Sequence, residues 1–357
     1  LNINSIELRN FRSYQKRAFS FVPSGNLLIG PNGSGKTNLL EAIAYTSIGK
    51  SIRYHKDEEL LTKGEDFFAL EAVYAQDSGN ALKVQLSFDG TRKSLKLDTV
   101  LNRQLSSLLG IVKVIYSAPD DIQLINGSPR NRRQYFDMAV SQLFPEYLGT
   151  LRAYLHVVEQ RNSLLKQSFN DAQITSWDQR YALTLVDVYA YRKKYLDLLN
   201  QAFRESYANI SDTYLDLAVE YRAVLKDGLE TTVERILQNL SELRSREKTW
   251  QRCLTGAHLD DYSFRFGAHG MRAFGSGGQK RIAVIILKLV QARLIEEHTH
   301  IHPVMLFDDI FAELDHTHSL RIKELCNDRF QSIIAGPKDD LKQIFQDYHE
   351  IRLGCEQ

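Results

Sequence analysis

The sequence predicts an α/β protein in which both chain ends build one sheet-containing head and a mostly helical arm is inserted between them. Three observations carry this reading. A glycine-rich loop follows a short apolar strand near the start, an apolar strand tipped with two acids lies near the end, and a long stretch between them lacks breakers. No proline falls between Pro145 and Pro303, and neither Gly nor Pro falls between Gly149 and Gly228. Sequence this free of punctuation reads as helix. The expected boundaries are 1–136 for the first part of the head, 137–252 for the arm and 253–357 for the second part of the head.

Composition agrees with that size. The chain has 357 residues, about two domains at roughly 150 residues each. Hydrophobic residues make up 43% and charged residues 25%, which excludes disorder and collagen-like repeats for the bulk of the chain. No apolar run reaches the ~18 residues that cross a bilayer; the best, Ile282 to Val290, contains Lys288. Leu1 and its neighbours lack the basic flank and apolar core of a secretory signal. Lys and Arg total 45 against 44 acids, so any binding of nucleic acid must use a local patch. Cys253, Cys326 and Cys355 are odd in number and far apart. They suit a reducing cytoplasm and form neither a disulfide framework nor a metal site.

The elements follow in chain order. Asn26 to Ile29 is a short buried strand. It runs into Gly30, Pro31, Asn32, Gly33, Ser34, Gly35, Lys36 and Thr37, which fit G-x-x-x-x-G-K-[ST]. The glycines let backbone N–H groups face one concavity that receives phosphate oxygens. The helix expected over 37–46 adds its positive end. Lys36 would neutralise the β- and γ-phosphates, and the Thr37 hydroxyl would ligate Mg²⁺. Leu82, Val84, Leu86 and Phe88 alternate with polar residues, giving a half-buried strand that turns at Gly90 into a second strand over 93–98. In the arm, Leu185, Val188, Tyr189, Leu196, Leu199 and Phe203 form one helical stripe. Arg192 falls on that stripe and must snorkel or pair. Leu215, Leu217, Val219 and Tyr221 alternate as one extended strand.

The acids come 272 positions after Lys36. Val304 to Phe307 is a buried strand that ends in Asp308 and Asp309, as a Walker B element requires. Asp308 is the Mg²⁺ candidate, and Asp309 would orient or deprotonate the attacking water. Phe274 to Gln279 (FGSGGQ) precedes an apolar helix. This resembles the ABC-type signature, so the fold expected is an ABC-type P-loop ATPase head of the SMC-like kind. Ser276, Gly277, Gly278 and Gln279 would receive a γ-phosphate. In ABC-type ATPases two heads sandwich two nucleotides, which implies a homodimer on ATP with Ser276 acting in trans. Asp315 stands at the D-loop position and would cross that interface.

Further blocks resemble the RecF branch of SMC-like ATPases. They are Ile6 to Tyr14 (IELRNFRSY), Gly35 to Ile43 (GKTNLLEAI), Lys50 to Arg53 (KSIR), Pro119 to Arg133 (PDDIQLINGSPRNRR), Gly256 to Asp261 (GAHLDD) and Leu306 to Asp315 (LFDDIFAELD). Asn38 enters the nucleotide set as part of the second block, and Arg12 of the first would stack on or pair with nucleotide. The resemblance implies ATP and Mg²⁺ as cofactors and slow, DNA-stimulated hydrolysis that opens the dimer. It also implies binding to double-stranded and gapped DNA and work with RecO and RecR in loading RecA, with no membrane partner. Departures stand beside it. Ala335, Gly336 and Pro337 follow the penultimate strand where the family usually has threonines, and Gly278 and Lys280 replace common glutamines. The DNA candidates are Arg130, Arg132 and Arg133, then Arg192, Lys193 and Lys194. The competing readings are the ATPase subunit of another DNA clamp or of a transporter, and an ATP-gated binding module with little hydrolysis.

Overall fold

A computed structural model describes residues 1–53, 56–76, 79–102, 104–167, 171–210, 217–326, 329–336 and 338–354. The sequence readings at Leu215, Pro337 and Cys355 fall outside them. The chain divides into two compact units, one made of Leu1–Asp121 with Val284–Gln357, the other of Ile122–Asn209 with Thr213–Ala283.

The first unit has three layers. A six-stranded antiparallel sheet runs in the order Tyr14–Ser20, Asn2–Phe11, Phe68–Ala75, Ala81–Phe88, Lys93–Leu97, Val100–Asn102. A five-stranded parallel sheet runs in the order His349–Arg352, Asn26–Ile29, Ser332–Gly336, Val304–Asp308, Val114–Ser117. The helix Lys36–Ile48 shares one apolar core with both: Leu39, Leu40 and Ile43 cluster with Leu8, Leu70 and Leu86 of the first sheet and with Leu28, Leu306 and Ile333 of the second. The alternation in Ala81–Phe88 puts Leu82, Val84, Leu86 and Phe88 inward. Val304–Asp308 lies between two parallel neighbours and is buried at every position, which is why it reads as a continuous apolar run rather than an alternation. Chain ends far apart in sequence thus pair side by side in one sheet.

The second unit contains the helices Pro129–Leu143, Tyr147–Leu165, Asp171–Ile210 and Val233–Trp250 and a three-stranded antiparallel sheet. The expected stripe is the buried face of Asp171–Ile210, and Arg192 on it is 1% exposed. The unit is longer than the arm expected over 137–252. Asp261–Phe266 pairs residue for residue with Leu217–Arg222, and Phe136 stacks on Tyr262 at 4.0 Å between ring centroids. Those contacts draw both flanks, including Ser276, into the helical unit.

Candidate active site

The phosphate loop leaves the C-terminal end of Asn26–Ile29, the place where open parallel sheets present ligands. Two glycines there are required by geometry. Gly35 has φ of +98°, and a Cβ on it would stand 2.5 Å from the Tyr14 hydroxyl, which donates to the Gly35 carbonyl at 3.1 Å. A Cβ on Gly30 would stand 2.5 Å from the Leu353 carbonyl oxygen. Pro31, Asn32 and Gly33 form an exposed tip. The helix that starts at Lys36 has no side-chain cap and no acid in its first turn, so its leading N–H groups and positive end remain available to an anion. Lys36 donates to the carbonyls of Gly30 at 2.7 Å and Pro31 at 3.1 Å. Among the described residues no carboxylate pairs with it. The buried Ser34 hydroxyl likewise has no partner among the described residues. An ammonium without a counter-charge, a hydroxyl without a partner and open N–H groups lie together on one short loop and the helix turn that follows it, which is the donor set a polyphosphate needs.

Asp308 stands beside this loop. Thr37 Oγ1 donates to its Oδ1 at 3.0 Å, and the Tyr116 hydroxyl donates to its Oδ2 at 2.7 Å. Burial raises the Asp308 pKa and the charge of Asp309 adds to this, while the bonds from Tyr116 and Thr37 and the nearby Arg53 oppose it. A hydroxyl and a carboxylate held side by side are hard oxygen donors that fit Mg²⁺. Asp309 has φ of +53°, and its N–H donates to the Ala335 carbonyl at 3.0 Å. Gly336 lies next to it: a Cβ there would be 3.7 Å from Asp309 Oδ1 and only 2.5 Å from Leu341 Cδ1. A threonine at Gly336 would therefore require Leu341 to move.

Arg12 sits at φ of +56°. Its guanidinium pairs with Glu41 at 3.4 Å and donates to the Glu59 carbonyl. Glu41 is wholly buried on the phosphate-loop helix and also accepts from Ser51 at 2.6 Å. Three of the blocks quoted above meet on this one carboxylate. Asn38 donates to Ser13 at 3.0 Å. Asp315 is exposed and caps the helix His316–Cys326, accepting from the His318 N–H at 2.9 Å and lying 2.5 Å from His318 Nδ1. These bonds hold its carboxyl below the usual range. The sequence reading missed Tyr14, Tyr116, Glu41 and Ser51. For Glu41 and Tyr116 a signal was present: one acid inside the run TNLLEAI, one phenol inside the strand VIYS.

The signature belongs to the second unit. Ser276 and Gln279 form a reciprocal cap: the Gln279 N–H donates to Ser276 Oγ at 3.2 Å, and the Ser276 N–H donates to Gln279 Oε1 at 2.9 Å. Gly277 and Gly278 follow in the first turn, exposed, with nothing within 4 Å of where a Cβ would be. Glycine in a helix costs about 1 kcal/mol relative to alanine, and the chain's own packing does not require it here.

Two of the DNA candidates need correction. Arg132 is 3% exposed and bidentate to Asp261 at 2.8 and 2.9 Å. Arg192 is paired with Asp137 at 2.8 Å and also donates to Tyr147, Tyr221 and the Ala257 carbonyl. Both are buried struts whose charge is already answered, so neither reaches a phosphate. Arg133 is half-buried and donates to the Asp260 carbonyl at 2.7 Å. Lys193 pairs with Asp197 at 3.0 Å. Arg130 and Lys194 are exposed, the latter 4.6 Å from the Phe144 ring centroid. The block Gly256 to Asp261 is structural as well: Asp260 accepts from Tyr189, Tyr221 and the Val224 N–H. A Cβ on Gly256 would fall 1.9 Å from the Tyr181 hydroxyl.

Comparison with known proteins agrees with this arrangement. A family profile described as RecF/RecN/SMC N terminal domain matches residues 2–350. The DNA replication and repair protein RecF of Desulfitobacterium hafniense is 32% identical over 88% of this chain and 87% of its own length. That of Halalkalibacterium halodurans is 30% identical over 95% and 94%. The solved structure of the recombination mediator protein RecF with ATP superposes with a TM-score of 0.88 at 27% identity, covering 95% of this chain and 92% of that one. An Smc head bound to the C-terminal winged-helix domain of ScpA superposes at 0.54 and 18% identity, over 96% and 92%, and shares the fold. With the loop, the acid-tipped strand and the capped signature in place, the chain belongs to the RecF family of ABC-type, SMC-like ATPases.

Proposed function

We propose that this protein is an ATP-dependent DNA-binding protein of recombinational repair that dimerises on ATP, holds gapped or junction duplex DNA and releases it on hydrolysis. It would work in the cytoplasm with RecO and RecR to assist the loading of RecA. The observation that carries this reading is a mismatch within one chain. The phosphate loop presents donors that its own unit leaves unfilled, while the second unit presents an exposed, glycine-flanked cap that its own packing does not require. A second copy that brings the cap to the loop satisfies both. The triphosphate then acts as the linker, and its loss on hydrolysis removes the reason for the copies to stay together.

Within one site, Lys36, the loop N–H groups and Ser34 would bind and orient the phosphates. Thr37 and Asp308 would hold Mg²⁺, which supplies charge neutralisation on the phosphates. Asp309, which follows the strand end, would position and deprotonate the attacking water. Ser276 and Asp315 would enter from the other copy. Arg12, held by Glu41, would contact the nucleotide. Arg130, Arg133, Lys193 and Lys194 remain as DNA contacts, and affinity for DNA should fall with salt.

Molar mass by light scattering with ATP, ADP or neither, each with and without gapped duplex, tests the reading. Wild type should double in mass with ATP alone. Ser276→Arg should bind ATP and stay single. A Ser276→Arg protein that still dimerises on ATP would remove the shared site.

A further inference from the structure

Ser276 is exposed, and so are residues 272–274 ahead of it and Gly277 and Gly278 behind it. The backbone that carries it is nevertheless tied down at each step. Met271 is fully buried. Its carbonyl accepts from the Gly275 N–H at 2.9 Å, and a Cβ on Gly275 would stand 2.8 Å from that same oxygen. Lys280, one of the two departures in the signature, reaches back across the turn and donates to the Arg272 carbonyl at 2.9 Å. It thereby ties the first turn of the signature helix to the short helix Met271–Phe274. That helix follows directly on the strand His269–Gly270, which pairs with Asp261–Phe266 through Arg265 with Gly270 and Phe266 with His269. Ser276 thus rides on a run of backbone that begins at Asp261.

Asp261 is gripped from outside that run. The Arg132 guanidinium meets both of its oxygens, at 2.8 and 2.9 Å, and donates a further bond to the Gly127 carbonyl at 2.9 Å. The Tyr262 N–H adds a bond to Asp261 Oδ1 at 2.8 Å. Arg133 holds the Asp260 carbonyl, and Phe136, one turn further on, stacks on Tyr262. One face of the helix Pro129–Leu143 therefore holds the start of the strand. The parts of this grip differ in kind. Stacked rings can slide in their planes, whereas a bidentate fork fixes direction as well as distance. The Asp261 side chain is 28% exposed, so water could solvate its charge. What Arg132 adds is orientation.

We propose that Arg132 is a positioning residue for the signature: its fork on Asp261 aligns the strand and turn that carry Ser276, and so sets where Ser276 meets the nucleotide of a second copy. Lysine at this position would keep the charge and lose the fork, which makes the exchange far from conservative. The effect on dimerisation rests on the shared-site reading given above. The placement itself does not, because every contact in it lies within one unit of one copy and needs no nucleotide.

Amide hydrogen exchange on the full chain without nucleotide reads the placement directly. Arg132→Lys and Asp261→Asn should each speed exchange several-fold at the Gly275 and Gln279 amides; the second variant, nearly isosteric, carries the test if the first does not fold. Arg161→Lys is the control. Arg161 makes an equally buried fork to Glu247 in the same unit, so its loss should leave those two amides at the wild-type rate. In parallel, calorimetry should find the ATP affinity of Arg132→Lys unchanged, while light scattering should find its ATP-induced dimer about ten-fold weaker, with the double variant no worse than either single one. Wild-type exchange at Gly275 and Gln279 in Arg132→Lys, the same acceleration in Arg161→Lys, or additive losses in the double variant would each overturn the proposal. Faster exchange in Arg132→Lys beside a wild type that binds ATP and stays single would strike the shared-site reading and leave the placement standing.

Discussion

Lys36 and Arg192 are both long cations and both nearly buried, at 6% and 1% exposure, yet they do opposite work. Lys36 meets only backbone carbonyls. Arg192 meets the carboxylate of Asp137, two phenols and a carbonyl. The charge of the first is left for a ligand, whereas that of the second is spent on the fold. Burial does not separate a binding residue from a strut. Whether a counter-charge is already present does, because a buried charge without a partner is costly unless something arrives to answer it.

The sharpest break of this comparison is to delete each cation. Arg192→Ala leaves Asp137 unanswered and should cost about 3–5 kcal/mol of stability in denaturant unfolding, with Arg192→Lys recovering only part. Lys36→Ala should leave the unfolding midpoint near wild type but weaken ATP binding at least about 100-fold by calorimetry, as removal of a close charge pair does. If the two variants exchange phenotypes, the distinction collapses.

Next comes Asp309→Asn, which should keep ATP binding and lower turnover about 100-fold or more; turnover at the wild-type rate would take Asp309 out of the chemistry. A smaller effect is expected from His258, whose Nδ1 lies 2.7 Å from the Tyr154 hydroxyl. Burial, helped by Arg133, Arg192 and Arg161, lowers its pKa to about 4. The unfolded chain therefore binds the extra proton first, and stability present above about pH 6.5 is lost as pH falls toward 4. Asp260, raised by burial, runs the other way. The His258 share should be up to about 3 kcal/mol, read as the difference in acid unfolding between wild type and His258→Gln; identical curves would rule it out. The smallest effect is Tyr116→Phe. Losing one hydrogen bond to Asp308, worth about 1 kcal/mol, should change the Mg²⁺ dependence of ATP binding about five-fold and leave Mg²⁺-free binding alone.

The sequence made the phosphate site legible because that site is local. Gly30 to Thr37 is one contiguous motif, and Asp308 announces itself by ending a strand whose apolar run has no alternation. The division into units was less legible. Nothing in Asp261–Phe266 alone says that it pairs with Leu217–Arg222, so a boundary drawn at a change in helical character fell short of the sheet that closes the unit. The roles of Arg132 and Arg192 were hidden for the same reason: their carboxylates, Asp261 and Asp137, lie 129 and 55 positions away. A dense run of cations cannot declare whether distant acids have already claimed it. Glu41 shows the reverse, an acid read as part of a helix that proves to anchor Arg12 and Ser51 together.

The reciprocal cap at Ser276 has one more consequence. Its oxygen already accepts from the Gln279 N–H, so what the hydroxyl can still offer is its hydrogen and one lone pair, on a turn that is capped before any encounter. Docking of a second copy would then resemble two finished parts meeting rather than a loop folding around its target. Threonine could keep this polarity of donation, whereas alanine would fray the helix and silence the contact in a single change.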